Sequence, residues 1–200
     1  MKRLVGVILL FVLGSAQAAL VDRGGGFIYD DIQDVTWLQN ANVNGSMDWV
    51  TAVAWADGLS VYDSVRGVTY DDWRLPTTLQ PDASCPFESG GVSFGWGCTG
   101  SEMGRLFNGY GISSGTPGLF TNLQSYLYWS GTEYAPDTND AWLVSFNDGN
   151  QFSNYKDDSR YALAVRSGDI AASVVPVPAA VWLFGSGLGL LGWLRRRQAA

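Results

Sequence analysis

The chain has 200 residues, with 19 acidic and 12 basic side chains, no histidine and a formal net charge of −7 at pH 7. Five of the basic residues stand at the two ends, so the part between them carries a formal charge of −12. Such a surface repels nucleic acid and favours divalent cations as partners, and the absence of histidine excludes catalysis by Ser-His or Cys-His pairs.

The first 18 residues have the pattern of a cleavable signal peptide. A basic pair precedes an apolar run at residues 4–13, and small residues flank the expected cleavage site between Ala18 and Ala19. Signal peptides share this order of basic, apolar and small residues. An uncleaved signal anchor is the alternative, but so short a run followed by a cleavage pattern favours cleavage. We therefore expect an exported protein that begins near Ala19.

The next segment predicts two strands and one helix. Residues 27–29 and 34–38 are rich in aromatic and β-branched side chains, which favour strands. A helix is predicted over residues 47–57, with Ser46 as its N-terminal cap and Gly58 at its end. Its apolar stripe, suited to packing on a sheet, comprises Trp49, Val53 and Ala56, with Val50 beside them. Trp55 lies on another side, so we expect neighbours on two sides of the helix.

Residues 71–77 read Asp-Asp-Trp-Arg-Leu-Pro-Thr and predict an extended segment, because Pro76 disfavours helical backbone at the residue before it. Arg74 stands close to two acidic residues and next to a tryptophan. This arrangement predicts a guanidinium group held by carboxylates and stacked on an indole ring. We interpret it as a structural lock in preference to a ligand site.

Cys85 and Cys98 are the two cysteines of the chain, and both lie in the exported part. A cysteine pair in an oxidising compartment predicts a disulfide, which for so short a loop stabilises by about 2–3 kcal/mol in the chain-entropy model. A metal pair and a redox pair are the alternatives, but two cysteines without histidine are poor zinc ligands. Residues 80–100 around them are expected to form a stapled loop without secondary structure.

The last third of the exported part predicts a short helix followed by strands. The helix covers residues 101–107, and strands are predicted at residues 126–130, 141–146, 151–155 and 161–166. Asn147-Asp148-Gly149 is a strong turn signal between the second and third of these strands. The alternation of Trp142, Val144 and Phe146 predicts that one face of the second strand is buried.

The chain ends in a tether at residues 169–174 and a tail at residues 175–200. In the tail, a proline pair is followed by an uncharged apolar run at residues 179–194 and then by Arg195, Arg196 and Arg197. The run is slightly shorter than the ~17–25 residues of a usual transmembrane helix, and the arginines favour the cytoplasm for its far end. It is either a lasting membrane anchor or a sorting signal with a temporary helix.

The tail resembles a PEP-CTERM sorting signal of the Val-Pro-x-Pro-Ala-Ala type. Its motif, apolar helix and arginines follow in the order of that signal, although Val177 stands where the commoner signal has glutamate. The resemblance implies temporary anchoring in the inner membrane of a Gram-negative bacterium, followed by processing by an exosortase-type enzyme. It also implies that Val175, Pro176 and Pro178 are recognised, and that the product reaches the cell surface or extracellular matrix.

Residues 19–168 resemble the Lcl C-terminal domain family. The motifs that carry the resemblance are Thr-Trp-Leu (36–38), a Trp-Ala helix (49–56), Asp-Trp-Arg-Leu-Pro-Thr (72–77), Tyr-Trp-Ser-x-Thr (128–132), Ala-Trp-x-Val-x-Phe-x-x-Gly (141–149) and Ala-Val-Arg (164–166). The resemblance implies a C-type-lectin-like fold, shared with formylglycine-generating enzyme: an α+β domain with a twisted antiparallel sheet, two helices and long loops. Residues 78–100 and Gly131 depart from the family pattern.

These features together predict a non-catalytic, lectin-like domain that binds polysaccharide or other matrix material. Lectin-type domains bind calcium through a Trp-Asn-Asp run near the last strands. The nearest equivalent here follows Phe146, so the candidate ligand-binding residues are Asn147, Asp148 and, on the preceding strand, Trp142. Asp148, Asp157 and Asp158 are candidate calcium ligands, because Ca²⁺ takes carboxylate oxygens. Solvated turns have the same composition, and no other cofactor is expected.

Two other classes of function stay open. A structural protein of the matrix or biofilm would associate with itself or with exopolysaccharide, without a specific small ligand. An enzyme of the formylglycine-generating type would need two reactive cysteines near its closing strand, and Cys85 and Cys98 stand elsewhere. Of the seven tryptophans from Trp37 to Trp142, we expect at most two to be exposed for stacking, since most lie inside strand or helix patterns.

Overall fold

The computed structural model of the chain describes residues 20–170. The predicted signal cleavage site at Ala18 and Ala19, the end of the tether and the whole predicted sorting tail, with its apolar run, lie outside the described residues. Two residues assigned to the tether are part of the domain: Asp169 forms a salt bridge with Arg23, and Ile170 is buried. Within residues 20–170, no helix has the length and apolar character needed to span a membrane.

The domain is an α+β mixture of short strands and short helices. The strands of the described part are β1 Leu20–Gly24, β2 Phe27–Asp30, β3 Val35–Leu38, β4 Ser46–Met47, β5 Val61–Asp63, β6 Val68–Tyr70, β7 Phe87–Ser89, β8 Val92–Phe94, β9 Leu127–Glu133, β10 Asp140–Ser145, β11 Gln151–Tyr155, β12 Arg160–Tyr161 and β13 Val165–Ser167. The helices are α1 Trp49–Asp57 and α2 Glu102–Gly104, which continues into a π-helical turn at Arg105–Gly109.

Two sheets and two separate hairpins make up the strand pairing. One sheet has the order β1-β2-β3-β13 and is antiparallel throughout. The other has the order β11-β10-β9-β12-β4, in which only the β9–β12 pair is parallel. The hairpins are β5–β6 and β7–β8. The predicted strand at residues 161–166 is therefore split, because the chain leaves one sheet after β12 and enters the other at β13.

The predicted buried face of β10 is confirmed, since Trp142, Val144 and Phe146 are buried, and the opposite face of the strand is buried as well. Val144 and Phe146 pack in a core cluster with Ile28, Trp37 and Tyr128. Ala141 and Leu143 point the other way, into a second cluster formed with Trp129 and the α1 residues Ala52 and Ala56. Alternate residues of a strand point to opposite faces, so the sheet is covered on both sides and β10 lies in its interior.

Helix α1 begins later than predicted and has a different cap. Ser46 lies in β4, and the cap is Asp48, whose carboxylate accepts a hydrogen bond of 2.8 Å from the backbone N–H of Thr51. An aspartate at this position satisfies an N–H that has no partner within the helix. Val50 faces solvent instead of joining the apolar stripe. Trp55 packs against two core clusters, which confirms that neighbours cover two sides of the helix.

Arg74 is held by a carboxylate as predicted, but not by one of its sequence neighbours. Its guanidinium group donates two hydrogen bonds of 2.7 Å to Glu102 at the start of α2. Asp72 instead accepts hydrogen bonds of 2.7 and 2.9 Å from Arg166 on β13. The two residues of this motif therefore bind different elements, Arg74 the start of α2 and Asp72 the strand β13.

Candidate functional site

Residues 80–100 contain a β-hairpin, so the prediction of a loop without secondary structure is wrong. Strands β7 and β8 pair with Phe87 opposite Phe94. The turn between them is formed by Gly90 and Gly91, both with positive φ (61° and 81°), a conformation that glycine adopts without strain. The predicted disulfide between Cys85 and Cys98 is confirmed and closes the base of the hairpin.

A buried carboxylate reinforces this base. Asp82 accepts hydrogen bonds from the backbone N–H and the hydroxyl of Ser84, at 2.9 and 2.6 Å, and from the N–H of Gly100 at 3.0 Å. The segment after the hairpin is also attached to the five-stranded sheet, since Gly95 and Gln151 of β11 exchange two backbone hydrogen bonds of 2.9 Å. These contacts hold the hairpin in one orientation on the domain.

The hairpin presents three aromatic rings, which we call the aromatic surface: Phe87, Phe94 and Trp96. The Phe87 ring lies 5.7 Å from that of Phe94 and 6.4 Å from that of Trp96. Phe87 is 48% exposed and Trp96 is 53% exposed. Trp96 is the one tryptophan of the described chain that is largely exposed, within the predicted limit of two. Adjacent exposed aromatic rings form an apolar surface patch, and such patches commonly mark binding sites.

A pocket of ≈190 Å³ adjoins the aromatic surface. Phe94 belongs to both, and the other lining residues are Tyr134, Trp142, Phe152 and Ser153. Asp140 lies behind Ser153 and accepts its hydroxyl hydrogen bond at 3.3 Å through Oδ2, while its buried Oδ1 has no partner in the described protein. Aromatic walls with a few polar groups at one side are the usual composition of a small-ligand site.

Two of the three predicted ligand-binding residues lie at this site. Trp142 is buried and forms part of the pocket wall, so its ring face is not open to solvent. Asp148 lies at the edge of the aromatic surface, with Oδ2 3.5 Å from Nε1 of Trp96. Asn147 lies elsewhere and accepts a hydrogen bond from the hydroxyl of Ser125.

Asp148 is ionised at neutral pH. Hydrogen bonding from Ser145, with smaller contributions from Asn150 and Trp96, holds the pKa of its carboxyl group below the usual value. It forms no salt bridge within residues 20–170. A charged carboxylate therefore stands next to the exposed indole.

The three predicted calcium ligands do not converge. Asp148 precedes β11, whereas Asp157 and Asp158 follow it, so roughly the length of a five-residue strand (about 17 Å) separates them. Asp158 also forms a salt bridge of 2.7 Å with Arg160. In the described chain, ligand atoms of three acidic or cysteine residues come together only around Asp82 and the two cysteines. Those sulfur atoms are bonded to each other and are not free thiolates.

Most basic side chains of the described chain are neutralised internally. Six of the seven form salt bridges with carboxylates: Arg23, Arg66, Arg74, Lys156, Arg160 and Arg166. All 19 carboxylates of the chain lie in residues 20–170, so most of them have no opposite charge in contact. The surface therefore keeps the strong negative field that the composition predicts.

Sequence reasoning missed Phe87 and Trp96 as site residues. A signal was present: the run Phe-Glu-Ser-Gly-Gly-Val-Ser-Phe at residues 87–94 has a Gly-Gly turn between two short β-prone segments.

Comparison of the chain with models of protein families, with curated proteins and with solved structures finds no match in any of the three.

Proposed function

We propose that this domain is a non-catalytic carbohydrate-binding module, and that sugar rings stack on the aromatic surface of Phe87, Phe94 and Trp96. The observation that carries the proposal is the exposed indole of Trp96, fixed on a disulfide-closed hairpin beside an aromatic pocket. The apolar face of a pyranose ring packs well on an aromatic ring, and nearby polar groups can bind its hydroxyls. Both cysteines are joined in the disulfide, which supports a role without thiol chemistry.

The proposed fold is the C-type-lectin-like fold of the Lcl C-terminal family. The α+β mixture of largely antiparallel sheets, short helices and long connections supports it. Two family motifs bind each other here: Pro76 O accepts hydrogen bonds from the Gly131 N–H at 2.8 Å and the Ser130 hydroxyl at 2.9 Å, and Thr132 Oγ1 accepts one from the Thr78 N–H. These motifs therefore stabilise the scaffold. The aromatic surface lies on residues 78–100, the segment that departs from the family pattern, so its ligand would be particular to this chain.

Binding can be tested with the full-length protein on a panel of neutral, acidic and amino-containing oligosaccharides, followed by titration of the tryptophan fluorescence. We expect saturable binding that Trp96→Ala weakens by about 5- to 160-fold, if a sugar ring gains as much from stacking as a nucleobase gains on one aromatic ring, about 1–3 kcal/mol. Tyr62→Ala is the matched control, because Tyr62 is also an exposed aromatic residue but lies on β5, outside the aromatic surface and the pocket lining. Binding unaffected by Trp96→Ala would move the site elsewhere, and no binding to any glycan would favour a purely structural matrix protein.

We further propose that the exported chain is processed by an exosortase-type enzyme and then displayed on the cell surface or in the matrix. The sorting motif with Val175, Pro176 and Pro178 and the three terminal arginines support this address. Mass spectrometry of the protein in the surface fraction should find a mature form without residues 182–197. An intact C-terminus there would show that the tail is a lasting membrane anchor.

A further inference from the structure

Four basic side chains of the described chain share one arrangement, which we call a cation clamp: the cation lies over an aromatic ring and pairs with a carboxylate. The distance from the cation to the ring centroid ranges from 4.3 to 5.6 Å. The four clamps are Arg23 with Tyr29 and Asp169, Lys156 with Trp49 and Glu133, Arg160 with Tyr126 and Asp158, and Arg166 with Tyr70 and Asp72. Ring and carboxylate attract a cation together, through the ring quadrupole and through charge.

Trp96 and Asp148 supply the ring and the carboxylate of a fifth clamp. The indole N–H of Trp96 points at the Asp148 carboxylate, 3.5 Å away, and more than half of the Trp96 surface is exposed. Within residues 20–170, no lysine or arginine lies over the Trp96 ring or pairs with Asp148. A cation that completed this arrangement would therefore come from outside the described chain.

We propose that Trp96 and Asp148 bind a positively charged group of the ligand, and that the ligand is a glycan with free, protonated amino groups. This inference rests on the carbohydrate-binding function proposed above. Stacking of one amino-sugar ring on Trp96 brings its ammonium group to Asp148, and the pocket beside Phe94 receives the next ring. Glycans of uronic acids are disfavoured, because Asp148 and the charge of −12 repel them.

The test compares a glucosamine hexamer with its fully N-acetylated counterpart, which has the same rings but no positive charge. Binding to the full-length protein is measured by calorimetry at about pH 6, where a primary amine is protonated. We expect the glucosamine hexamer to bind about tenfold more tightly, since a cation–π contact and an exposed ion pair together account for that factor. The preference should shrink in high salt.

Two variants assign the preference to the clamp. Asp148→Asn should reduce the preference to the roughly two- to fivefold that the cation–π contact alone supplies, while binding of the acetylated hexamer remains. Trp96→Ala should weaken both ligands. Asp57→Asn is the control for the same charge change at the exposed end of α1, and thermal unfolding confirms that each variant is folded. Equal binding of both hexamers, weakened in Trp96→Ala, would overturn the inference and leave the carbohydrate function standing. Binding of tetralysine without binding of either hexamer would overturn the inference in favour of a basic peptide partner, and no binding of any probe would overturn it as well. In both cases the carbohydrate function is decided separately, by the wider oligosaccharide panel described above.

Discussion

The two ion pairs of the residue 71–77 motif differ in burial, and this difference predicts a difference in stability. Glu102 pairs with Arg74 through two hydrogen bonds of 2.7 Å, and its side chain is 12% exposed. Asp72 pairs with Arg166 in the same two-point geometry, but its side chain is 54% exposed. The glutamate also accepts a hydrogen bond of 2.6 Å from the backbone N–H of Thr77, so it connects α2 to the extended segment.

Replacement of Glu102 by glutamine keeps the shape of the side chain but removes its charge and one acceptor oxygen. Hydrogen bonds to charged groups contribute about 1.5–3 kcal/mol, so we expect the free energy of unfolding to fall by that amount. Asp72→Asn is the matched control, and for an exposed pair we expect a loss of about 0.2–1 kcal/mol. Urea titrations monitored by tryptophan fluorescence measure both losses, provided that the slope of the unfolding free energy against urea concentration is the same in each variant. Equal losses in the two variants, or none for Glu102→Gln, would refute the idea that burial makes Arg74–Glu102 the structural lock.

Three further changes test other parts of the fold. Replacing Cys85 and Cys98 by alanine should lower the free energy of unfolding by about 3 kcal/mol, the chain-entropy value for a loop with a cysteine separation of 13; urea titration of the reduced wild type should give the same loss. Gly149→Ala should lower the melting temperature more than Gly168→Ala, although both glycines have φ of 76°, because a Cβ at Gly149 would collide with the Phe107 ring whereas one at Gly168 meets no atom; equal shifts would contradict a steric origin. The salt bridge with Arg166 lowers the pKa of Asp72. The ion pair therefore stabilises the fold at pH above the usual aspartate pKa, and this stabilisation is lost as the pH falls through the lowered pKa. The free energies of unfolding of wild type and Asp72→Asn should converge in acid, and acid denaturation curves measure this.

Local sequence signals were sufficient where a contact depends on neighbours in the chain. The Asn147-Asp148-Gly149 turn and the strands on either side of it form the predicted hairpin, β10–β11. The disulfide followed from a count, since two cysteines allow one pairing. Helix α1 ends with Gly58 as its C-terminal cap, as predicted.

Long-range packing decided what the sequence could not show. Arg74 has two aspartates close by in sequence, yet its partner is Glu102, 28 positions away, while Asp72 binds Arg166 on β13. The hairpin at residues 87–94 has three-residue strands, too short for a clear alternation of apolar and polar residues. Trp96 and Trp129 both stand in segments that contain other aromatic residues, but only the fold shows that Trp129 is fully buried and Trp96 is exposed.

The salt bridge between Arg23 and Asp169 joins residues 146 positions apart, at the two ends of the described chain. The strands nearest those ends, β1 and β13, are the outer strands of one four-stranded sheet, about 14 Å apart for a usual strand spacing. The backbone of the domain is thus almost a ring. A short linker could join its ends, and the ring could be reopened at the surface loop around residues 113–116, to give a circular permutant in which every strand pair described above remains intact. The architecture depends on which segments touch, and not on where along that ring the polypeptide starts.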